Sequence, residues 1–353
     1  MNKEIQIGNR LISDTSPVYL IAEMSGNHNM DYSRAGRIVD AAAYAGADAV
    51  KLQTYTADTI TLDCDDKPFW IDQGTLWDGM TLHKLYEKAY TPWEWQPPLR
   101  ERALEKGIEL FSSPFDHTSV DFLEKMDVPA YKIASYEITD IPLIRKAASC
   151  EKPVIISTGV AYLQDIEKAL DACREEGNED VILLKCVSAY PTPYEDMNLR
   201  SIETLKKEFG CITGLSDHSM GSVAAVAAVA LGARVIEKHL TLRRADGGVD
   251  SAFSMEPEEF RQMKEDIRKA EAALGSGEYT LTEKQKTEKK RARSLFISRD
   301  MKKGEAFSSD NIKSVRPGDG LLPEFYDRVL GRHISRDAKL GTPLSVDLIE
   351  EGL

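Results

Sequence analysis

No apolar run in this chain approaches the length of a membrane span. The opening MNKEIQIGNRLI has neither the basic stretch nor the uninterrupted apolar segment of a secretory leader, so a cytoplasmic protein is expected. Cysteine is scarce. The five present (Cys64, Cys150, Cys173, Cys186 and Cys211) are odd in number and never spaced CxxC, which argues against a disulfide framework and against a structural zinc site. Positive charge is in deficit, with 45 Lys and Arg against 58 Asp and Glu, a net charge of −13. Such a bulk field repels nucleic acid and anionic lipid, and neither is expected as a partner. No P-loop and no GxGxxG fingerprint occurs, so nothing points to a nucleotide.

What the chain does contain is eight apolar, β-branched stretches that each end in charged or hydroxyl side chains. They are VYLIAE (to Glu23), DAVKLQ (Lys51, Gln53), IELFSS (Ser113), AYKIAS (Lys132, Ser135), PVIIST (Ser157), VILLKCVS (Lys185, Ser188), CITGLSDH (His218) and ARVIEKH (His239). A segment of helical period follows each, at 33–45, 92–106, 119–126, 141–149, 163–176, 199–209, 221–231 and 256–274, several closed by a glycine. An open doubly wound sheet would gather polar residues mainly at one switch point. Polar residues at every strand end predict instead a (β/α)8 TIM barrel, whose strands all terminate on one rim and so build one site.

With 353 residues, the chain has room for a barrel and something smaller. We read 1–275 as the barrel. Its one long connection, from Tyr55 to Thr91, carries Phe69, Trp70, Trp77, Tyr86 and Tyr90 on the catalytic face, where long loops bear on ligand access. Polar, Lys- and Arg-rich 276–293 reads as a solvated linker. Beyond it, 294–353 breaks into short strand-like pieces (SLFIS, NIKSV, HIS, PLSVDLI) between glycines, a small β-rich domain that on size grounds should dock on something.

Three sets of rim residues carry chemistry. His218 and His239 end adjacent strands, close enough to share a divalent cation and leave positions open for water and substrate; Asp217 and Glu237 neighbour them in sequence. Lys51, Ser113, Lys132, Ser135, Ser157, Ser188 and Ser216 form an anion cradle, with compact positive charge and hydroxyl donors suited to phosphate and carboxylate. Glu23, Glu137 and Asp250 supply carboxylates, of which Glu137, on the same strand-end loop as Lys132, is the best placed for acid–base work.

The blocks AEMSGNHN, AGADAVKLQT, FSSPFD, AYKIASYEITD, IISTG, LLKCVSAYPTP, GLSDHS and IEKHLTLRRADGGVDSAFSMEP resemble the sialic acid synthase family. The pieces RSLFISRDMKKGEAF, NIKSVRPGDGL and LGRHISRDAKLGTPLSVDLI resemble the antifreeze-like SAF domain that those synthases carry, so the resemblance covers nearly the whole chain. It implies condensation of phosphoenolpyruvate with an acetamido sugar, assisted by a divalent cation such as Mn2+, Mg2+ or Co2+ held by His218 and His239. It gives Lys51, Ser113, Lys132, Ser135, Ser157 and Ser216 to phosphoenolpyruvate, and Gln53, Tyr190 and Asp250 to the sugar. Arg316, in VRPGDG, corresponds to an arginine that reaches into a partner's barrel, implying a homodimer with exchanged SAF domains. Ser188 and Ser113 depart from the Asn and Thr that N-acetylneuraminate synthases commonly carry there.

Within the family, EMSGNHN, KLQTYTADTITLD, LWDGMTLHKLYEKAYTPWEW and RRADGGVDSAFS resemble the pseudaminic acid branch. N-acetylneuraminate or legionaminic acid synthesis is the alternative within the family. From other classes come a metal-dependent aldolase or lyase, whose Schiff-base version would make Lys132 or Lys185 covalent, and a non-catalytic sugar-binding protein working through its C-terminal segment.

Overall fold

The computed structural model describes residues 3–72, 74 and 76–353; Met1 and Asn2, and Gln73 and Thr75 of the long aromatic loop, lie outside them. The chain divides into two compact units, Met1–Gly275 and Ser276–Leu353. In the first, β1 (Ile5–Ile7) and β2 (Arg10–Ile12) form an antiparallel hairpin. Eight further strands follow: β3 (Tyr19–Glu23), β4 (Ala49–Thr54), β5 (Glu109–Pro114), β6 (Tyr131–Ile133), β7 (Val154–Ser157), β8 (Val181–Cys186), β9 (Ile212–Asp217) and β10 (Val235–His239). They close into a barrel in chain order, with β10 pairing β3 in parallel. Every residue of β3 and β10 is buried, as strands covered on both faces require. This is the TIM barrel expected from the eight strand-end patterns.

The β1–β2 hairpin was not anticipated. Its Ile5, Ile7 and Ile12 are buried in one cluster with Tyr19, Ala49, Tyr131, Val154, Val181, Ile212 and Val235, the first residues of seven barrel strands. Apolar packing therefore fills the strand-start end of the barrel, and polar groups collect at the other. Each isoleucine so buried contributes roughly 1.5–3 kcal/mol.

Local signals set the connections. Asp31 caps Tyr32–Ala45 by accepting from the Arg34 amide, and Gly46 ends it at φ 82, a left-handed conformation that only glycine adopts cheaply. The helix expected from residue 92 starts later. A 3-10 turn at Trp93–Trp95 leads into Gln96–Glu105, placing Pro97 and Pro98 in the first turn, where a missing N–H costs nothing. The long loop holds two short helices, Ala57–Ile60 and Leu82–Ala89, capped by Thr56 and Thr81.

The C-terminal unit has its own core, built from residues such as Leu295, Ile297, Phe307, Ile312, Val329, Ile334 and Leu344. Two of the four strand-like pieces form a regular pair, β11 (Ser294–Ile297) with β12 (Ile312–Val315). The other two contribute isolated bridges, His333 to Ala306, Ile334 to Ile349 and Phe296 to Pro343; PLSVDLI bends into a 3-10 turn at Val346–Leu348. In the stretch read as a linker, Glu283–Lys289 is an exposed helix capped by Thr282. Among the described residues no helix is long and apolar enough to cross a membrane, and the five cysteines are free.

Candidate active site

Strand register assembles the site. Glu23 lies opposite His239 on one side and Lys51 on the other, Gln53 opposite Ser113, and Ser216 opposite both Glu237 and Cys186. A cavity of about 460 Å³ opens there, lined by Lys51, Gln53, Lys132, Ser135, Glu137, Ser157, Tyr190, Ser216, His218, His239 and Asp250. Glu23 and Ser113 do not line it. They hold Lys51 instead: its Nζ lies 2.5 Å from Glu23 Oε2 and donates to Ser113 Oγ at 3.2 Å. Ser188 also lies outside the lining, its hydroxyl packed behind Gly159, where a Cβ would approach Ser188 Oγ to 2.5 Å and Ser135 Oγ to 2.7 Å. Only glycine fits there, and its amide donates to Ser135 Oγ at 3.0 Å. Lys185 sits on the opposite pleat from Cys186 and is not among the residues that line the cavity.

The floor is a cage of two ammonium and two carboxylate groups, each 4% exposed or less. Glu237 lies 3.9 Å from Lys51 and 3.7 Å from Lys132 and accepts from Ser216 Oγ at 2.9 Å. Burial pushes Glu23 up to about 7, against the pull of Lys51. For Glu237 burial acts in the same direction, but Lys132 and Lys51 outweigh it and hold the carboxyl below its usual range. Burial and then the like charge of Lys51 depress Lys132, despite Glu237, and Lys132 has no ion pair closer than that 3.7 Å contact among the described residues. Ser157 Oγ is buried without a hydrogen-bond partner. An under-neutralised lysine beside an orphaned hydroxyl is an environment that an incoming anion completes.

Above the floor stand the two histidines, ring centroids 5.3 Å apart. Val187 O can only accept, so His218 Nδ1 at 3.0 Å carries the proton and Nε2 stays free as a ligand. His239 Nδ1 is buried and unpartnered, and burial, reinforced by His218, holds this ring neutral well below its usual range. For His218 burial acts in the same direction, but Cys186 and the bond to Val187 O outweigh it and hold this ring above its usual range. A neutral His239 and a His218 whose Nε2 is free to exchange its proton for a metal fit a divalent cation. Among the described residues no group of three His, Cys, Asp or Glu side chains surrounds one point, so remaining positions fall to water or substrate. Asp217, expected beside the histidines, faces the other way and is bound to Lys238 at 2.7 Å, because it alternates with His218 across the pleat.

Glu137 and the aromatic residues form the upper wall. Glu137 Oε2 is buried and unpartnered, and burial, only partly offset by Lys132, pushes the carboxyl up to about 7. Asp250 accepts from the Ser25 hydroxyl. Tyr190 stacks on His218 at 4.4 Å and meets Phe253 and Trp77 at 5.3 and 5.7 Å. Trp77 Nε1 donates to Val249 O at 2.8 Å, tying the long loop to the one bearing Asp250. Trp70, Ile71, Leu82, Leu85, Tyr86 and Phe115 make the rest of this side apolar. Ser25 and Cys186 were missed as lining residues, although each stands at a strand end like the residues that were found. Arg316 is exposed on the C-terminal unit.

A pocket lined by buried lysines, serines, histidines and carboxyls at the strand-end rim of a closed parallel barrel defines a TIM-barrel enzyme site. Residues 38–279 match the NeuB family and residues 292–350 the SAF domain; the chain belongs to the NeuB family. It is 48% identical to the pseudaminic acid synthase of Campylobacter jejuni over 96% of this chain and 98% of that protein. It is 47% identical to that of Helicobacter pylori, over 96% and 99%. The solved N-acetylneuraminic acid (sialic acid) synthetase of Leptospira borgpetersenii, in complex with citrate, superposes with a TM-score of 0.73 at 34% identity, over 82% of this chain and 95% of that one.

Proposed function

We propose that this enzyme condenses phosphoenolpyruvate with 2,4-diacetamido-2,4,6-trideoxy-β-L-altropyranose and water, giving pseudaminic acid and phosphate. The observation that carries the reading is the two-sided cavity: a lysine and serine floor beneath an apolar wall contributed by the long loop. The floor suits a compact dianion. The wall suits a sugar that lacks the C6 hydroxyl and presents two acetamido methyls, and near-half identity to pseudaminic acid synthases over almost the full chain supports the same assignment.

In this reading Lys51, Lys132, Ser135, Ser157 and Ser216 hold the phosphate and carboxylate of phosphoenolpyruvate, with Glu23 and Ser113 fixing Lys51 from beneath. C3 of phosphoenolpyruvate bonds to the aldehyde carbon of the open-chain sugar, water adds at C2, and the bond from C2 to the phosphate oxygen breaks. Glu137, poised near neutrality, takes the proton of the attacking water or delivers one to the aldehyde oxygen. The lysines and serines stabilise the departing phosphate. Gln53, Tyr190 and Asp250 orient the sugar. A divalent cation (Mn2+, Mg2+ or Co2+) bound by His218 and His239 supplies Lewis acidity toward the aldehyde oxygen. We further propose a homodimer in which Arg316 of one subunit serves the acceptor end of the other's site. A cytoplasmic location goes with this reading, since phosphoenolpyruvate is a glycolytic intermediate.

Incubation with phosphoenolpyruvate, Mn2+ and a panel of acetamido sugars, followed by phosphate release and product mass, tests the reaction. Phosphoenolpyruvate labelled with 18O at the bridging position should pass its label to phosphate; label retained in the sugar acid would contradict C–O cleavage. Turnover confined to N-acetylmannosamine or to the legionaminic precursor would move the chain elsewhere in its family.

A further inference from the structure

Behind the histidines lies a second charged pair that the reaction does not use. Lys238 and Asp217 are directly opposed in the β9–β10 register and both are almost wholly buried. They alternate with His239, Glu237, Ser216 and His218, so they face outward, into the layer where Leu215, Ile236 and Leu240 pack against Ala224, Ala228, Val229, Phe260 and Met263. Lys238 Nζ reaches Asp217 Oδ2 at 2.7 Å and Ser219 O at 2.5 Å. The other Asp217 oxygen accepts from the Ser219 amide at 2.8 Å and from its hydroxyl at 2.7 Å.

A buried ion pair in an apolar layer adds little stability beyond what a well-packed apolar pair of similar volume provides. This one does something an apolar pair cannot. It bonds the residue before His239 to the residues on both sides of His218, fixing the turn at the end of β9 relative to the end of β10. We infer that Lys238, Asp217 and Ser219 are positioning residues that set the separation and orientation of His218 and His239, and through them the affinity for a divalent cation. This inference rests on the two histidines being the cation ligands.

The test is Mn2+ binding to the full chain, read from the EPR signal of free Mn2+, alongside thermal melts. Lys238→Met, the double variant Asp217→Leu with Lys238→Met, and Ser219→Ala are compared with wild type and with His218→Ala. Groups that hydrogen-bond a ligating ring are worth about 10- to 100-fold in metal affinity; Lys238 and Asp217 act through the backbone flanking the ligands, so the Lys238 and double variants should bind Mn2+ at the low end of that range, about tenfold more weakly, and Ser219→Ala severalfold more weakly. The double variant should nevertheless melt near wild type, which leaves a folded variant to read even if Lys238→Met, with Asp217 stranded, does not fold. Should both fail to fold, Ser219→Ala decides. Folded variants that bind Mn2+ within twofold of wild type, with or without a lower melting temperature, would overturn the inference. Wild type binding Mn2+ no better than His218→Ala would instead remove the cation site itself, and the inference with it.

Discussion

Glu137 combines a buried, unpartnered carboxylate oxygen with a carboxyl that burial raises from 4.5 to about 7. Its removal as Glu137→Gln should lower kcat by roughly 10²- to 10⁴-fold with little change in phosphoenolpyruvate affinity, and should abolish an ionisation near neutrality in the wild-type pH–rate profile. The same shift has a stability consequence. A carboxyl that binds its proton more tightly folded than unfolded contributes stability that is fully present below about pH 4.5 and lost as pH rises through about 7. Glu137→Gln mimics the protonated group at all pH values. Denaturant melts should therefore show it near wild type at pH 5 and more stable by roughly 1–3 kcal/mol at pH 8.5; equal stability at both pH values would contradict the buried-acid account. His218→Ala and His239→Ala should each abolish cation-dependent turnover with the fold intact, and full activity in excess chelator would remove the cation from the mechanism. Most of these side chains were legible in the sequence because a residue at the end of a barrel strand has only one rim to face. The pairings were not: Glu237 bridging two lysines and Asp217 turning away from the histidines depend on cross-strand register and pleat, which no single strand reveals.

The 55–91 loop shows how an element becomes a wall. Its aromatic content was visible, but its helices were not: Ala57–Ile60 and Leu82–Ala89 are too short for a 3.6-residue period to emerge. Trp77 both meets Tyr190 and bonds to Val249 O, so it fixes the loop as well as lining the cavity. Trp77→Ala should raise KM for the sugar and leave KM for phosphoenolpyruvate near wild type, with about 1–3 kcal/mol lost in acceptor kcat/KM. An equal rise in both KM values would mean that the loop supports the whole site rather than the acceptor end. At the barrel's other end, the β1–β2 hairpin carries a local signal of its own: Gly8–Asn9 between IQI and RLI is a two-residue hairpin loop. Ile7 is fully buried beneath the strand starts. Ile7→Ala should cost about 2–5 kcal/mol in denaturant melts while leaving kcat nearly unchanged.

Across the whole molecule, a closed parallel barrel explains why residues as far apart in sequence as Glu23 and His239 meet, and the C-terminal unit brings a core of its own. Eight repeated strand-to-helix alternations made the barrel legible; the C-terminal unit was less so, because single bridges and 3-10 turns leave little periodic trace. The proposed homodimer, with Arg316 serving the partner's site, predicts complementation. Mixing Arg316→Ala with His218→Ala under subunit exchange should restore activity toward about a quarter of wild type, since only the mixed dimer holds one barrel with intact histidines and an intact partner arginine. No recovery despite demonstrated exchange would confine Arg316 to its own barrel or remove it from catalysis. The acceptor assignment is tested most directly by competition. With phosphoenolpyruvate and Mn2+ present, equal concentrations of the diacetamido trideoxy altrose and N-acetylmannosamine in one tube give products whose ratio equals the ratio of kcat/KM. The apolar wall predicts pseudaminic acid in excess by roughly tenfold to two hundredfold, and N-acetylneuraminate in equal or greater yield would contradict it.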